Sequence, residues 1–483
     1  MSESWLDLRR SSYAEVADLA GARRWFAVAG TSLVLAGFFA LLLVLARMPG
    51  LSWLFTDTLF FKRCLVVHVD LALVIWFYAF LAGMFQLIPA ARSKLGVRSA
   101  VGAGVGVIGM MLGAGDTGAA PVLANYVPVI DSPMFLLGLV VFAVSVLAAL
   151  FNARLFGRGR ASDSAEGGDE ALVTAEAAPA LKAAALAFVT ALVCFWGAWL
   201  GTPSGLLPES RYELMMWGGG HVLMFANAAA MAAVWLSLVG RVVGRPVLGV
   251  TWARRLFALY TIPLVIAPLL ATRGSESVAH RVGFTRLMEL GIFPVISVVL
   301  IACLVALARA KRRGLELSGA ASKSVGTFAA SAILTITGFV LGALISGSNT
   351  VIPAHYHAAI GGVTAAFMGF ALAALEPLGL ERTGRLAERL ARWQVPIFGA
   401  GQLVFVLGFA FAGAHGAARK AYATEQQVKS LAESVGLVVM GAGGLLAAMG
   451  GLIFVGIVGS AIVSSFAARR ARSQLVKGEL YGR

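Results

Sequence analysis

Apolar runs of about 20 residues, the length needed to cross the roughly 30 Å hydrocarbon layer of a bilayer, recur from one end of this chain to the other. They lack the alternating polarity of barrel strands, and only helices satisfy their own backbone groups in lipid. The expectation is an all-α integral membrane protein with twelve transmembrane helices, at approximately 25–46, 59–88, 99–115, 133–152, 181–201, 214–239, 253–271, 284–308, 325–347, 352–377, 394–413 and 435–466. With 59% hydrophobic and 13% charged residues in 483, the composition excludes an ordinary soluble domain.

Loop charge checks the count, because a missed helix would scramble the alternation of basic loops. About 29 of the 39 Lys and Arg fall on the side shared by both termini. Both ends are therefore expected in the cytoplasm, in a bacterial inner membrane. The net charge of +15 is spread over these loops, where anionic lipid heads attract it. Membrane lipid, not nucleic acid, is the expected partner of that charge. The chain divides into a polar N-terminal segment (1–24) with no cleavable signal, one membrane domain (25–466) and a basic tail (467–483). Residues 157–180 read as a flexible cytoplasmic loop. Cys64, Cys194 and Cys303 fall in or beside spans without a CxxC, so neither disulfides nor a zinc site are expected.

Six histidines are the chemistry-bearing residues. An ionisable side chain in hydrocarbon is costly and marks a functional site by default. His68 lies about nine residues into the second run and His221 about seven into the sixth, roughly 10 to 14 Å below the outer boundary. His355 and His357, in "AHYHAAIGG", lie near the outer end of the tenth run, and His280 and His415 fall in outer loops. At about 100° per residue, positions 355 and 357 point about 200° apart. They cannot share one metal, but each could hold a different planar cofactor, and haem is the membrane cofactor that takes axial His. His68 is then the natural second ligand of a bis-His haem. Isolated hydrogen-bonded polar residues, or the lining of a transport path, remain the alternatives at this point.

These motifs resemble those of subunit I of the heme-copper oxidase superfamily, which includes cytochrome oxidases and the large subunit of nitric oxide reductases. "VVHVDLALVIWF" matches the His of the second helix, "WGGGHV" that of the sixth, "AHYHAAIGG" the His-x-His of the tenth, and "GQLVFVLGFAFAGAHGAARK" the Gly-rich outer turn ending in two basic residues. The resemblance implies that His68 and His357 are axial ligands of a low-spin haem and His355 the proximal ligand of a second, high-spin haem. It also implies that Arg419 and Lys420 hold haem propionates; two haems are expected, with b type as the reading although His ligation is common to a, b and o haems. Haem iron is then the metal at His68, His357 and His355.

Active relatives place copper or non-haem iron opposite the second haem on three histidines. His221 matches one; the adjacent pair falls at Leu269 and Leu270, which cannot ligate. The redox tyrosine of one oxidase class, like the glutamate of the reductases, falls at Phe225. That of the other class falls at Pro263, with Tyr260 about one turn away. A stoichiometric copper or non-haem iron is therefore not expected. His221 could instead bond a gas on the second haem or ligate that haem. Asp70 is the interior carboxylate near the haem layer.

The expected function is a haem-binding redox subunit that passes electrons through the bis-His haem to the second one, in a respiratory-type complex. A cytochrome c-type or cupredoxin-like donor subunit and a gaseous ligand, O2 or NO, are the implied partners. An active oxidase or nitric oxide reductase with unusual ligands, a noncatalytic haem-based gas sensor or assembly subunit, and a transporter stay open on sequence alone.

Overall fold

The computed structural model describes residues 17–48, 51, 57–89, 94–156, 171–380, 384–419 and 430–481. It contains twelve helices long and apolar enough to cross a membrane. They are α1 (Leu19–Arg47), α2 (Thr58–Gln86), α3 (Leu95–Ala114), α4 (Pro133–Leu150), α5 (Ala178–Gly201) and α6 (Pro208–Val243). Then follow α7 (Val250–Ala271), α8 (Val278–Arg312), α9 (Gly319–Ala343), α10 (Val351–Ala374), α11 (Arg385–Ala414) and α12 (Leu431–Tyr481). A two-residue antiparallel ribbon, β1 (Pro121–Val122) with β2 (Val129–Ile130), sits in the loop between α3 and α4. The chain is thus a multi-pass membrane protein, with each expected apolar run on a helix.

Two of these helices are not regular. In α2 the turn from Asp70 to Ile75 is a π-helix, directly after His68. Its wider turn, closed by i→i+5 hydrogen bonds, shifts the facing of residues on either side, a feature common at functional sites. The segment is tied to α1, where Ser32 Oγ donates to Leu71 O at 2.5 Å. In α7 the helix is interrupted at Thr261, ahead of Pro263, whose ring removes a backbone donor.

Burial ranks the helices sharply. The most apolar windows of α6, α2 and α10 are 89%, 78% and 67% buried, above every other span. These three carry His221, His68 and the His355–His357 pair. The outer helices α1, α7 and α12 are buried over only 17%, 28% and 28% of theirs, as expected of lipid-facing surfaces.

Aromatic and polar contacts set the register of the inner helices. Phe80 of α2 stacks on Phe367 of α10 with centroids 4.3 Å apart and 14° between planes, and Phe77 meets the same ring edge-on at 5.7 Å. Counting about twelve residues outward from Phe80 reaches His68, and about ten from Phe367 reaches His357. At about 1.5 Å per residue the two histidines therefore lie at one depth. The Trp235 indole of α6 donates to Ser331 Oγ of α9 at 2.9 Å, and that hydroxyl donates to Gly362 O of α10 at 2.7 Å. Such a chain meets both of its own donors while joining three helices.

Small residues bring α11 and α12 together, as membrane helices without a hydrophobic drive between them require. A Cβ at Gly443 would stand 2.2 Å from Phe405 N, and one at Gly408 2.3 Å from Met440 N. Both obstacles are backbone and cannot swing away. Gly443→Ala is therefore expected to destabilise the protein by about 1–3 kcal/mol, read as a lower thermal midpoint in detergent. Gly451→Ala, with open space around its Cβ, should leave the midpoint unchanged.

Candidate haem-binding site

The tenth helix presents its two histidines to different neighbours. His355 turns to α9, where its Nδ1 lies 2.7 Å from Gly338 O. A Cβ on Gly342 would come within 2.8 Å of the same ring, so a glycine here is what lets the imidazole seat against α9. His357 turns to α11, edge-on to Phe405 at 4.8 Å and near Phe409 at 6.2 Å. His68 of α2 places Nδ1 2.9 Å from Ala36 O of α1, and His357 lies within electrostatic range of both His68 and Arg47. The rotation of about 200° between positions 355 and 357 is thus realised as two separate environments.

The hydrogen bonds define the tautomers. A carbonyl can only accept, so Nδ1 of His68 and of His355 carries the proton and Nε2 keeps a lone pair. Neither Nε2, nor either nitrogen of His357, has a hydrogen-bond partner among the described residues. An imidazole with Nδ1–H anchored on a carbonyl and Nε2 open is the form that a metal ligand takes. Two such rings, His68 and His355, and the unbonded imidazole of His357 lie on the most buried helices and fit the needs of haem axial ligation, so His68, His357 and His355 could serve.

His221 is differently engaged. Its Nδ1–H donates to Trp217 O at 2.7 Å, and Nε2 accepts from the Tyr126 hydroxyl at 3.0 Å, with Thr285 Oγ1 at 3.5 Å. Burial pushes the Tyr126 phenol above the ordinary tyrosine range, with Arg419 opposing and Glu213 adding to the rise, so it stays protonated and donates. Each glycine of the "WGGGH" run makes room for a ring from another element. A Cβ would meet Phe284 of α8 at 2.7 Å from Gly218, Phe195 of α5 at 2.4 Å from Gly219, and Tyr126 at 2.4 Å from Gly220. Tyr126 itself holds φ +67, the left-handed region that costs a non-glycine residue.

The remaining candidates fall as follows. Arg419 donates to Asn125 Oδ1, and Asn125 in turn donates to the Glu213 carboxylate. This puts Arg419 one residue from the tyrosine that caps His221, with further guanidinium donors to offer. Lys420 lies outside the described residues. Leu269 is 64% exposed on the lipid face of α7, so its position does not look into the bundle. Tyr260 is buried and donates to Phe225 O at 2.8 Å, which brings it beside α6 one turn below His221.

His280 departs from its expected place in an outer loop. It is the third residue of α8, wholly buried, edge-on to Phe284 at 4.8 Å and within electrostatic range of His221. Its ring lies beside the Leu270 carbonyl, but neither nitrogen meets a partner at hydrogen-bonding geometry among the described residues. Asp70 is likewise 1% exposed with both oxygens unmatched. Among the described residues no three His, Cys, Asp or Glu side chains converge to hold a metal ion. The groups that meet the His221 ring are two hydroxyls and a carbonyl, with the His280 imidazole within electrostatic range.

Residues 21–447 match the family of cytochrome c and quinol oxidase polypeptide I. The chain belongs to that family. This oxidase-family chain also superposes on a cryo-EM structure of a heme-copper terminal oxidase dimer with a TM-score of 0.71, at 15% identity, covering 92% of this chain and 83% of that one. That likeness is one of fold. The chain is 26% identical to the uncharacterised protein RP382 of Rickettsia prowazekii (strain Madrid E), over 91% of this chain and 95% of that protein. It is 28% identical to an uncharacterised protein of Aquifex aeolicus (strain VF5), over 75% of this chain and 87% of the other. The family normally binds haems, in keeping with the open imidazoles of α2 and α10.

Tyr126 and Thr285 escaped the sequence reading, since neither stands in a patterned segment. Three consecutive glycines before a histidine do signal incoming rings, though not whose. Tyr126→Phe leaves Nε2 of His221 without its main donor and is expected to cost about 1–3 kcal/mol. Thermal unfolding in detergent reads the loss, and faster carbethoxylation of His221, followed by peptide mass spectrometry, reports the uncovered nitrogen.

Proposed function

We propose that this protein is a haem-binding redox subunit of a respiratory-type complex, in which electrons pass through a low-spin bis-His haem to a second, high-spin haem. The observation that carries the reading is the division of α10. His357 faces α11 within electrostatic range of His68, while His355 faces α9 with Nδ1 on Gly338 O. In this reading His68 and His357 hold the first haem and His355 the second. Bound in this way, the groups would supply one-electron transfer, and the second, held by the single imidazole of His355, would be able to take up a gas.

The protein residues supply orientation and exclusion. The carbonyls of Ala36 and Gly338 fix the ring planes and raise the basicity of Nε2 in His68 and His355. Phe405 and Phe409 flank His357 and keep water from it. Arg419, with Lys420 beside it in sequence, offers charge-assisted donors to propionates. His221, closed by Tyr126, is assigned no second metal, so copper or non-haem iron in stoichiometric amount is not part of the proposal. The membrane is taken to be a bacterial inner membrane, with both termini cytoplasmic, one membrane domain over 25–466, and terminal segments at 1–24 and 467–483. Members of the family work with cytochrome c or quinol donors and bind O2. For this chain a cytochrome c-type or cupredoxin-like donor subunit is proposed, with O2 or NO as the gaseous ligand.

A pyridine haemochrome assay on the purified protein is expected to give two b haems per chain, one low-spin and one that binds CO when reduced. His68→Ala and His357→Ala should each abolish the low-spin spectrum and leave CO binding; His355→Ala should do the reverse. Retention of the full haem content and spectrum in all three variants would refute the assignment. Metal analysis by mass spectrometry is expected to find no stoichiometric copper and no iron beyond that of haem.

A further inference from the structure

Where α6 ends on the side of the basic loops, the chain is built into a fixed wall. Gly244 caps the helix with φ +67, Pro246 prevents its continuation, and Gly249 turns with φ +77. The buried Glu176 carboxylate accepts the N–H groups of Val247, Leu248 and Gly249 at 2.8, 2.8 and 3.1 Å. That carboxylate is committed to backbone, and the wall does not depend on surface contacts. Between it and α8 lies a groove of about 430 Å³, lined by Arg245 and Val247 on one side and by Val298, Ile301, Val305 and Arg309 on the other.

The groove has two chemical zones. Its floor is membrane-facing and apolar, with Val298, Ile301 and Val305 exposed by 46%, 59% and 39%. Its rim carries two guanidiniums from separate elements, exposed and without an ion-pair or hydrogen-bond partner among the described residues. From Arg309 down to Val298 is about eleven residues, or about 16 Å along the helix. That is about the depth of one bilayer leaflet. A free anion would use the rim and leave the apolar floor bare, whereas a zwitterionic lipid would bring its own cation up against the two guanidiniums.

We propose that this groove is a binding site for one anionic phospholipid, its phosphodiester held by Arg245 and Arg309 and an acyl chain lying along Val298, Ile301 and Val305. Guanidinium forks suit phosphate oxygens, and basic pockets between spans on this side of a membrane bind such head groups. The site lies at the rim of the bundle, away from the histidines of α2 and α10, and is independent of any haem.

Native mass spectrometry of the delipidated full chain, titrated with dioleoyl phosphatidylglycerol or dioleoyl phosphatidylcholine, tests the proposal. One phosphatidylglycerol should bind preferentially, and the Arg245→Gln, Arg309→Gln variant should lose about thirtyfold in affinity for it. Val305→Trp, which fills the floor and keeps both cations, should also weaken binding, and covers the case of a misfolded double variant. Glycerol 3-phosphate should not displace the lipid. Equal affinity for the two lipids, unchanged phosphatidylglycerol binding in both variants, or displacement by glycerol 3-phosphate would overturn the proposal.

Discussion

An imidazole inside a bilayer needs an acceptor for its N–H, and the backbone of a neighbouring helix can offer one only where the two approach closely. His355 reaches Gly338 O and His68 reaches Ala36 O because the facing residues are glycine and alanine. The same bond that removes the cost of burying the donor leaves Nε2 open on the other side of the ring. Helix packing and the exposure of an open Nε2 are therefore one event in this protein. Bulk at position 342 would push the His355 ring away from its acceptor, and the open nitrogen would lose its aim.

Everything nearer the centre serves to hold α10 in place. Phe367 stacks on α2, Gly362 O accepts from Ser331, and Ser331 accepts from the α6 indole. These contacts lie inward of the histidines and fix both the depth and the rotation of the helix before the imidazoles are considered. The π turn of α2 adds a local change of facing immediately after His68. Asp70, at its start, is buried without a hydrogen-bond partner among the described residues, a price in stability of the kind that functional segments retain.

The sixth helix follows a different logic. Its three glycines admit rings from α5, α8 and the α3–α4 loop, and one of those rings brings a hydroxyl onto His221. A nitrogen that accepts from a phenol is not a free ligand. Arg419, bonded through Asn125 to the same loop, links the turn after α11 to this closed imidazole. His280, buried on α8 with unmatched nitrogens, stands close by without completing a ligand set among the described residues.

Spacing along the chain was enough to determine the helices, because a span must satisfy its backbone internally and its length is set by the bilayer, both local requirements. It also determined that His355 and His357 leave α10 on opposite flanks, since helical rotation is a property of the segment itself. The place of His280 within α8, the phenol on His221, and the outward turn of Leu269 could not be read this way. Each depends on which residues from distant parts of the chain arrive at one point, and the left-handed backbone of Tyr126 is stable only because Gly220 clears the space for its ring. The sequence alone therefore determined the spans and the facing of their histidines, while only tertiary packing decided which imidazoles stay open and which one is closed.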